Sequence, residues 1–357
     1  VSLLVTGAAG FIGSNLVRAL RSRYPSEHIV SLDLLTYAGS LENLQGVLDD
    51  SLHSFVHGDI TDAVLVDELF AHHDFRGVFH LAAESHVDRS IDGPMAFVKT
   101  NVEGTATLLD AASRAWGTSS GRRFVHVSTD EVFGSLGPDG AFDERTPYAP
   151  RSPYSATKAA SDHLARAWHE TYGLRVIVTN CTNNYGPYQF PEKLLPVVIT
   201  RGAAGEPVPV YGRGENVRDW IHVSDHCAGL IAAFERGEDG ETYCFGGEAE
   251  LSNLALVEQV LDAVDARLGR PEGTGRALIR FVADRPGHDF RYAMDIGKAR
   301  RELGWAPAVS VEEGLARTVE WYLDNVEWAE RVRGDESRAF EERWYRERLA
   351  TAGEVKS

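Results

Sequence analysis

Two adjacent carboxylates, Asp130 and Glu131, follow Ser128 and Thr129 at the end of the apolar run Arg123-Phe124-Val125-His126-Val127. Capping a turn accounts for such a pair in isolation, but the neighbouring residues point to chemistry. Two carboxyl groups whose environments push their pKa values apart can divide proton work, one giving a proton while the other takes one. Tyr154 stands 23 residues after Glu131 and opens the segment Tyr154-Ser155-Ala156-Thr157-Lys158, which Ser152-Pro153 introduces as a helix start. Tyr154 and Lys158 are one helical turn apart and share a face. An ammonium beside a phenol favours tyrosinate, so the pair is expected to lower the Tyr154 pKa toward the range of a general base. A lone Tyr-x-x-x-Lys is common on amphipathic helices; Thr129 and a glycine turn near the N-terminus make this one significant.

That turn is Gly7-Ala8-Ala9-Gly10-Phe11-Ile12-Gly13, directly after the apolar run 1–6. Glycines there let the backbone turn tightly and approach a pyrophosphate, which rests on the N-terminus of the helix that follows. Asp33 comes 20 residues after Gly13 and closes the second apolar run, 29–32. This is the place of a carboxylate that bonds a ribose 2′-hydroxyl. A carboxylate would repel a 2′-phosphate, so NAD is favoured over NADP. Gly58-Asp59-Ile60 ends the third strand-like run, where it could border the adenine or simply turn the chain.

The elements that must hold these residues alternate. Strand-like runs end at 58–59, 82–83, 128–129 and 179–180, with helix-length segments near 61–73, 94–116 and 153–172. Strands alternating with helices imply a parallel sheet covered on both faces, doubly wound by right-handed crossovers. The fold class is therefore α/β, a doubly wound parallel (Rossmann-type) sheet with a second, smaller mixed α/β lobe. After Cys181 the rhythm breaks: Pro187, Pro191, Pro196, Pro207 and Pro209 crowd together, and regular sheet is not expected there. A helix over 224–236 and a strand at 242–245 rejoin the first domain. We expect a cofactor domain of 1–183 plus about 224–248. A substrate lobe would take about 184–223 and 249–310, with a helix at about 252–268 and strands at 279–284 and 291–295. A charged helical segment, 311–357, ends the chain, and its stretch 328–349 reads as a solvated face.

Composition narrows the functional classes. The 357 residues are 43% hydrophobic and 25% charged, the balance of a globular protein. No run approaches the roughly 20 apolar residues of a membrane helix, and a strand pattern starts at once, so no signal peptide is expected unless one was removed. A net charge of −17 argues against sequence-independent nucleic-acid binding. Cys181, Cys227 and Cys244 lie far apart without a C-x-x-C pair. They read as buried thiols in a reducing compartment, the cytoplasm, and not as a metal site.

Gly7 to Gly13, Asp33, Ser128/Thr129, Tyr154 and Lys158 together resemble the extended short-chain dehydrogenase/reductase superfamily. Within it, the segments 33–39, 83–90, 128–134, 183–187 and 285–289 resemble the dTDP-glucose 4,6-dehydratase family, from the N-terminus to about residue 325. The resemblance implies NAD as a bound cofactor, contacted by Gly7, Gly10, Phe11, Ile12, Gly13, Asp33, Asp59, Ile60, Ala82, Tyr154 and Lys158. It implies that Thr129 bonds the sugar C4 hydroxyl while Tyr154 takes its proton. Glu131 would remove the C5 proton and Asp130 protonate the leaving C6 hydroxyl. Chemistry explains why the acid pair discriminates: a 4-epimerase only removes and returns hydride at C4, whereas a 4,6-dehydratase must also eliminate water across C5 and C6.

An anionic substrate on an acidic chain needs local positive groups. Arg218, Arg285 and Lys193 are the candidates, since guanidinium groups grip phosphate oxygens in a fork. The resemblance adds Asn183, Asn253 and His288 for the nucleotide diphosphate, Pro209 and Tyr211 for the base, and Ser85 and His86 near the sugar. It also implies a homodimer packed through helices near 94–116 and 153–172. One departure stands beside the acid pair: Phe133 occupies a position where the family usually has Tyr.

Overall fold

The computed structural model describes residues 1–117, 121–284 and 289–334. Among these residues the strands run in chain order as β1 (Ser2–Thr6), β2 (His28–Asp33), β3 (His53–His57), β4 (Phe75–His80), β5 (Arg123–Thr129), β6 (Val176–Cys181), β7 (Asn183–Tyr185), β8 (Val208–Tyr211), β9 (Val217–His222), β10 (Thr242–Phe245), β11 (Glu250–Ser252) and β12 (Ile279–Val282). Seven of them form one parallel sheet in the order β10-β6-β5-β4-β1-β2-β3.

Both faces of that sheet are apolar because successive side chains alternate sides. Leu3 and Val5 join a core with Leu16, Leu20, Leu230 and Phe234, under the helices Phe11–Arg23 and Val223–Arg236. Leu4, between them, joins the opposite core with Val66, Leu108, Leu109 and Ala165. The chain winds one way from β1 to β3 and the other from β4 outward. The crevice at that reversal, outside the carboxyl ends of β1 and β4, is where doubly wound sheets bind ligands.

The smaller lobe rests on a third core. The helices Leu194–Ala204, Asn253–Leu268 and Val311–Asp324 bury Leu195, Val198, Leu256, Leu261, Leu315 and Val319 together, with Tyr185 and Trp220 from the strands. β7 pairs with β9 in parallel, β11 with β9 antiparallel, and β8 with β12 in parallel.

Three local expectations change. The proline-rich stretch after Cys181 carries a helix and two short strands. Pro196 sits in the first turn of its helix, where no intrahelical N–H bond is lost, and Pro209 lies in a two-stranded sheet with no inner strand to interrupt. The strand expected at 291–295 is only three isolated bridges, Leu136 to Arg291, Phe142 to Met294 and Val217 to Arg291, because its partner 135–142 is irregular. In the first domain the helix expected over 94–116 is interrupted by a π-helical segment, Val98–Gly104.

Candidate active site

The glycine turn is built by close backbone approach. Gly7 has φ +67°, and a Cβ there would meet Ala82 N at 2.7 Å. A Cβ on Gly13 would lie 2.0 Å from the Gly7 carbonyl oxygen, so only glycine lets the helix start so near the turn. That 13-residue helix opens at Gly10 with no side-chain cap and no acidic residue in its first turn. Its amides face a cavity of about 380 Å³ lined by Gly7, Gly10, Phe11, Ile12 and Gly13. Across the cavity mouth Asp33 ends β2 and accepts hydrogen bonds from Ala9 N at 2.9 Å and Leu35 N at 2.8 Å. Burial raises its pKa, opposed by those two backbone bonds. Each carboxylate oxygen keeps acceptor capacity for a hydroxyl. An uncapped helix start, a turn without side chains and a terminal carboxylate together fit a dinucleotide. Asp59, Ile60 and Ala82 line the same cavity.

Its inner wall is the end of β5 and the start of the helix Pro153–Tyr172. A capping box between Ser152 and Ser155 and Pro153 at the first position fix where that helix begins. Tyr154 and Lys158 then point inward together, both buried and both lining the cavity with Thr129, Asp130 and Glu131. Thr129 caps the short 3₁₀ turn Asp130–Phe133, accepting from Glu131 N at 3.3 Å and donating to Asp130 Oδ1 at 3.2 Å.

The two acids differ in setting. Asp130 is 3% exposed, and its Oδ2 has no hydrogen-bond partner among the described residues. Burial, reinforced by the charge of Glu131, pushes its pKa up to about 8, against the pull of Arg218. At neutral pH Asp130 therefore keeps its proton. Glu131 is only half-buried. One carboxyl is held as an acid beside another with more access to solvent.

The expected lowering of the Tyr154 pKa is not found. Burial raises it well above the usual phenol value, and the charge of Glu131 adds to that, while a hydrogen bond with Thr129 works the other way. Lys158 Nζ donates to the Val127 carbonyl at 2.9 Å, so its charge is spent on the strand rather than on the phenol. Burial also draws the Lys158 ammonium below its ordinary value, opposed by Asp162.

Sequence reasoning missed two supports. Asp162, one turn beyond Lys158, accepts from Ser128 Oγ at 2.9 Å, Tyr148 OH at 2.8 Å and Asn180 Nδ2 at 3.3 Å, and bonds His126 Nε2 at 3.0 Å. Burial alone would raise its pKa, but the His126 and Ser128 hydrogen bonds and the charge of Lys158 hold it below the usual carboxylate range. Asn101, in the π-helical segment, accepts from Glu84 N at 2.8 Å and donates to Glu84 O at 3.0 Å and Thr157 Oγ1 at 3.0 Å. It ties the Glu84-Ser85 wall to the catalytic helix. Neither residue has a spacing signal, because each acts across long sequence separations.

The remaining expected contacts divide. Ser85, Asn183 and Lys193 line the cavity. His86 caps the helix Val87–Asp92 without a side-chain cap bond and lies 3.5 Å from Glu192. Arg218 is buried on β9, donates to the carbonyls of Val217, Asp289 and Phe290, and stacks on Tyr292 at 4.4 Å. Pro209 and Tyr211 are on β8, and Asn253 begins a helix with its amide on Asn216 O at 2.9 Å. His86, Pro209, Tyr211, Arg218 and Asn253 are not part of the cavity lining. Arg285 and His288 lie outside the described residues. Phe133 faces away from the cavity into a ring cluster with Phe142 and Tyr148.

Comparison with known proteins agrees with this geometry. The family model described as GDP-mannose 4,6 dehydratase matches residues 4–318. A dTDP-glucose 4,6-dehydratase of Xanthomonas campestris pv. campestris is 53% identical over 335 residues, covering 92% of this chain and 95% of that one. The crystal structure of a dTDP-glucose 4,6-dehydratase from Streptomyces venezuelae, with NAD bound, superposes with a TM-score of 0.84 at 49% identity, covering 93% of this chain and 100% of that one. A UDP-glucose 4-epimerase from Thermotoga maritima shares the fold at 29% identity and a TM-score of 0.81, over 91% of this chain and 100% of that one. The chain belongs to the nucleotide-sugar 4,6-dehydratase family, within the group of dTDP-glucose 4,6-dehydratases.

Proposed function

We propose that the protein converts dTDP-D-glucose to dTDP-4-keto-6-deoxy-D-glucose and water. The observation that carries this reading is the acid pair: buried Asp130, its pKa raised by burial, beside the half-buried Glu131, in the cavity that holds Thr129, Tyr154 and Lys158. An epimerase shares the sheet and the Tyr-Lys helix but has no use for a second acid.

NAD is the cofactor, held by the amides at Gly10 to Gly13, by Asp33 on a ribose, and by the wall of Asp59, Ile60, Ala82, Tyr154 and Lys158. When bound, NAD would supply a hydride acceptor for the sugar C4, the hydride for C6, and a positive charge in the site. Thr129 orients the C4 hydroxyl and Tyr154 receives its proton. With C4 oxidised to a ketone, the C5 proton becomes acidic and Glu131 removes it. Asp130 gives its proton to the departing C6 hydroxyl, which leaves as water; Glu131 returns the proton to C5 as hydride reaches C6, and the proton taken up by Tyr154 balances the one Asp130 gave. Ser85, Asn183 and Lys193 hold the sugar nucleotide in the cavity. His86 joins Ser85 near the sugar, and Pro209, Tyr211, Arg218, Asn253, Arg285 and His288 complete the nucleotide end of the site.

Residues 1–183 with 224–248 serve as the cofactor domain and 184–223 with 249–310 as the substrate lobe, braced by the helices after 311. Exposed Ile91, Met95 and Val98 beside the catalytic helix support a homodimer through that face. Three buried free thiols support a cytoplasmic setting. The deciding assay is mass spectrometry of dTDP-glucose incubated with purified protein. Loss of one water without added reductant is the expected result; isomerisation without a mass change would refute the proposal.

A further inference from the structure

The chain beyond residue 318 lies outside the matched family range, yet it reaches the cofactor turn. The helix Val326–Val332 buries Trp328 against the short turn Leu41–Leu44. Trp328 Nε1 donates to Asn43 Oδ1 at 3.0 Å, and Asn43 Nδ2 donates to the Ala9 carbonyl at 2.8 Å. The Ala9 amide in turn donates to Asp33 Oδ2 at 2.9 Å. A continuous line of hydrogen bonds therefore runs from the C-terminal helix to the carboxylate at the end of β2.

Its direction is fixed by chemistry. An indole N–H can only donate, so Asn43 must turn its oxygen toward Trp328 and its NH₂ toward Ala9. Reversal of the amide would set two carbonyl oxygens against each other at Ala9. Asn43 is 3% exposed, its own amide donates to Ser40 O at 3.0 Å, and its carbonyl accepts from Arg18 at 2.7 Å. Burying an indole does not by itself produce such a bond: the ring nitrogens of Trp116, Trp168 and Trp220 are buried without a partner among the described residues.

The same segment holds the other flank of the cavity. Trp321 and Trp328 pack on Tyr188 with ring centroids 4.7 and 5.8 Å away, and Arg18 of the glycine-turn helix stacks on its ring at 4.3 Å. Tyr322 OH donates to the carbonyl of Gln189, which lines the cavity with Phe190.

We propose that Trp328 is a positioning residue for the cofactor: through Asn43 it sets the Ala9 peptide and the Asp33 carboxylate, and the C-terminal helix thereby slows the loss of NAD. The inference rests on the reading that NAD occupies this turn. The test loads the full-length protein with NAD, removes excess nucleotide, and follows NAD release by filtration, beside thermal melts of the same samples. Trp328→Phe keeps the packing and removes the donor, and should release NAD about five-fold faster, the effect of one hydrogen bond. Asn43→Asp, which keeps the acceptor for the indole but loses the donor to Ala9, should also release NAD faster. Adding Trp328→Phe to Asn43→Ala should produce no further acceleration, because one acts through the other. Release at the wild-type rate in both single variants, or effects that multiply in the double variant, would overturn the proposal. If Trp328→Phe does not fold, the Asn43 variants still decide it. A wild-type protein that binds no NAD would instead overturn the functional reading itself.

Discussion

The two flanks of the cavity are made in different ways. The cofactor flank is main chain: a turn with no room for a Cβ, which on Gly7 or Gly13 would meet Ala82 or Gly7 backbone at 2.7 or 2.0 Å, an uncapped helix start, and Asp33 held by two amides. The acid flank is side chain: Asp130 perched on Thr129, Lys158 turned to Val127, and Asp162 collecting four neighbours behind them. Changes to the first flank should therefore register as lost binding and stability, and changes to the second as lost chemistry in a folded protein.

The largest effect is expected at Glu131. Glu131→Gln keeps shape and removes the base, and should lower formation of the dehydrated product by about 10³-fold. Oxidation at C4 should persist, visible as absorbance of the reduced cofactor on mixing with substrate. Dehydration at the wild-type rate would remove Glu131 from its assigned role. The counterpart on the cofactor flank is Gly13→Ala. Its Cβ would sit 2.0 Å from a backbone oxygen that cannot swing aside. A loss of about 3 kcal/mol in denaturant unfolding, with NAD binding lost as well, is expected. A stable Gly13→Ala protein that binds NAD normally would show that the main-chain flank is more plastic than its distances imply.

Asp130 shows how the acid flank gives up stability for function. Its folded pKa, about 8, lies above the 3.8 of an ordinary aspartate. The unfolded chain releases this proton first as pH rises, so the stability present below about pH 4 is lost progressively up to about pH 8. Asn cannot ionise and escapes that loss. Asp130→Asn should thus melt higher than the wild type, by a margin that grows from pH 5 to pH 8 and then levels, on the order of a few kcal/mol at most. Turnover should fall about 10²-fold because the acid is gone. A margin that shrinks with rising pH would mean that Asp130 is ionised in the folded protein.

The same contrast explains what could be read from the sequence. Gly7 to Gly13 and Asp33 lie within one strand–helix–strand unit, and their spacing follows directly from its geometry, so the cofactor flank was legible. Tyr154, Lys158 and the acid pair were legible too, as one helical turn and one strand end. The supports were not. Asn101 reaches Glu84 and Thr157, and Asp162 reaches Ser128, Tyr148 and Asn180, across separations that no local pattern encodes. The Tyr154 pKa went the opposite way because helical spacing places Lys158 on the right face but says nothing of the Val127 carbonyl that captures it. The proline-rich stretch hid a helix because Pro196 happens to fall in a first turn.

The smallest effect is expected just behind the acids. Phe133 is 4% exposed, stacked on Phe142 with ring centroids 5.1 Å apart and edge-on to Tyr148 at 5.2 Å. Its ring belongs to the apolar cluster with Val132, Ala159, Tyr292 and Met294, so the position serves packing. Restoring the family's hydroxyl with Phe133→Tyr places a polar atom among these rings. The expected cost is about 1–2 kcal/mol in thermal or denaturant unfolding. Because the ring points away from the cavity, turnover should stay within about two-fold of the wild type. A large gain in dehydration by Phe133→Tyr would place this ring in the chemistry of the acid flank and move the border between the two flanks inward by one residue.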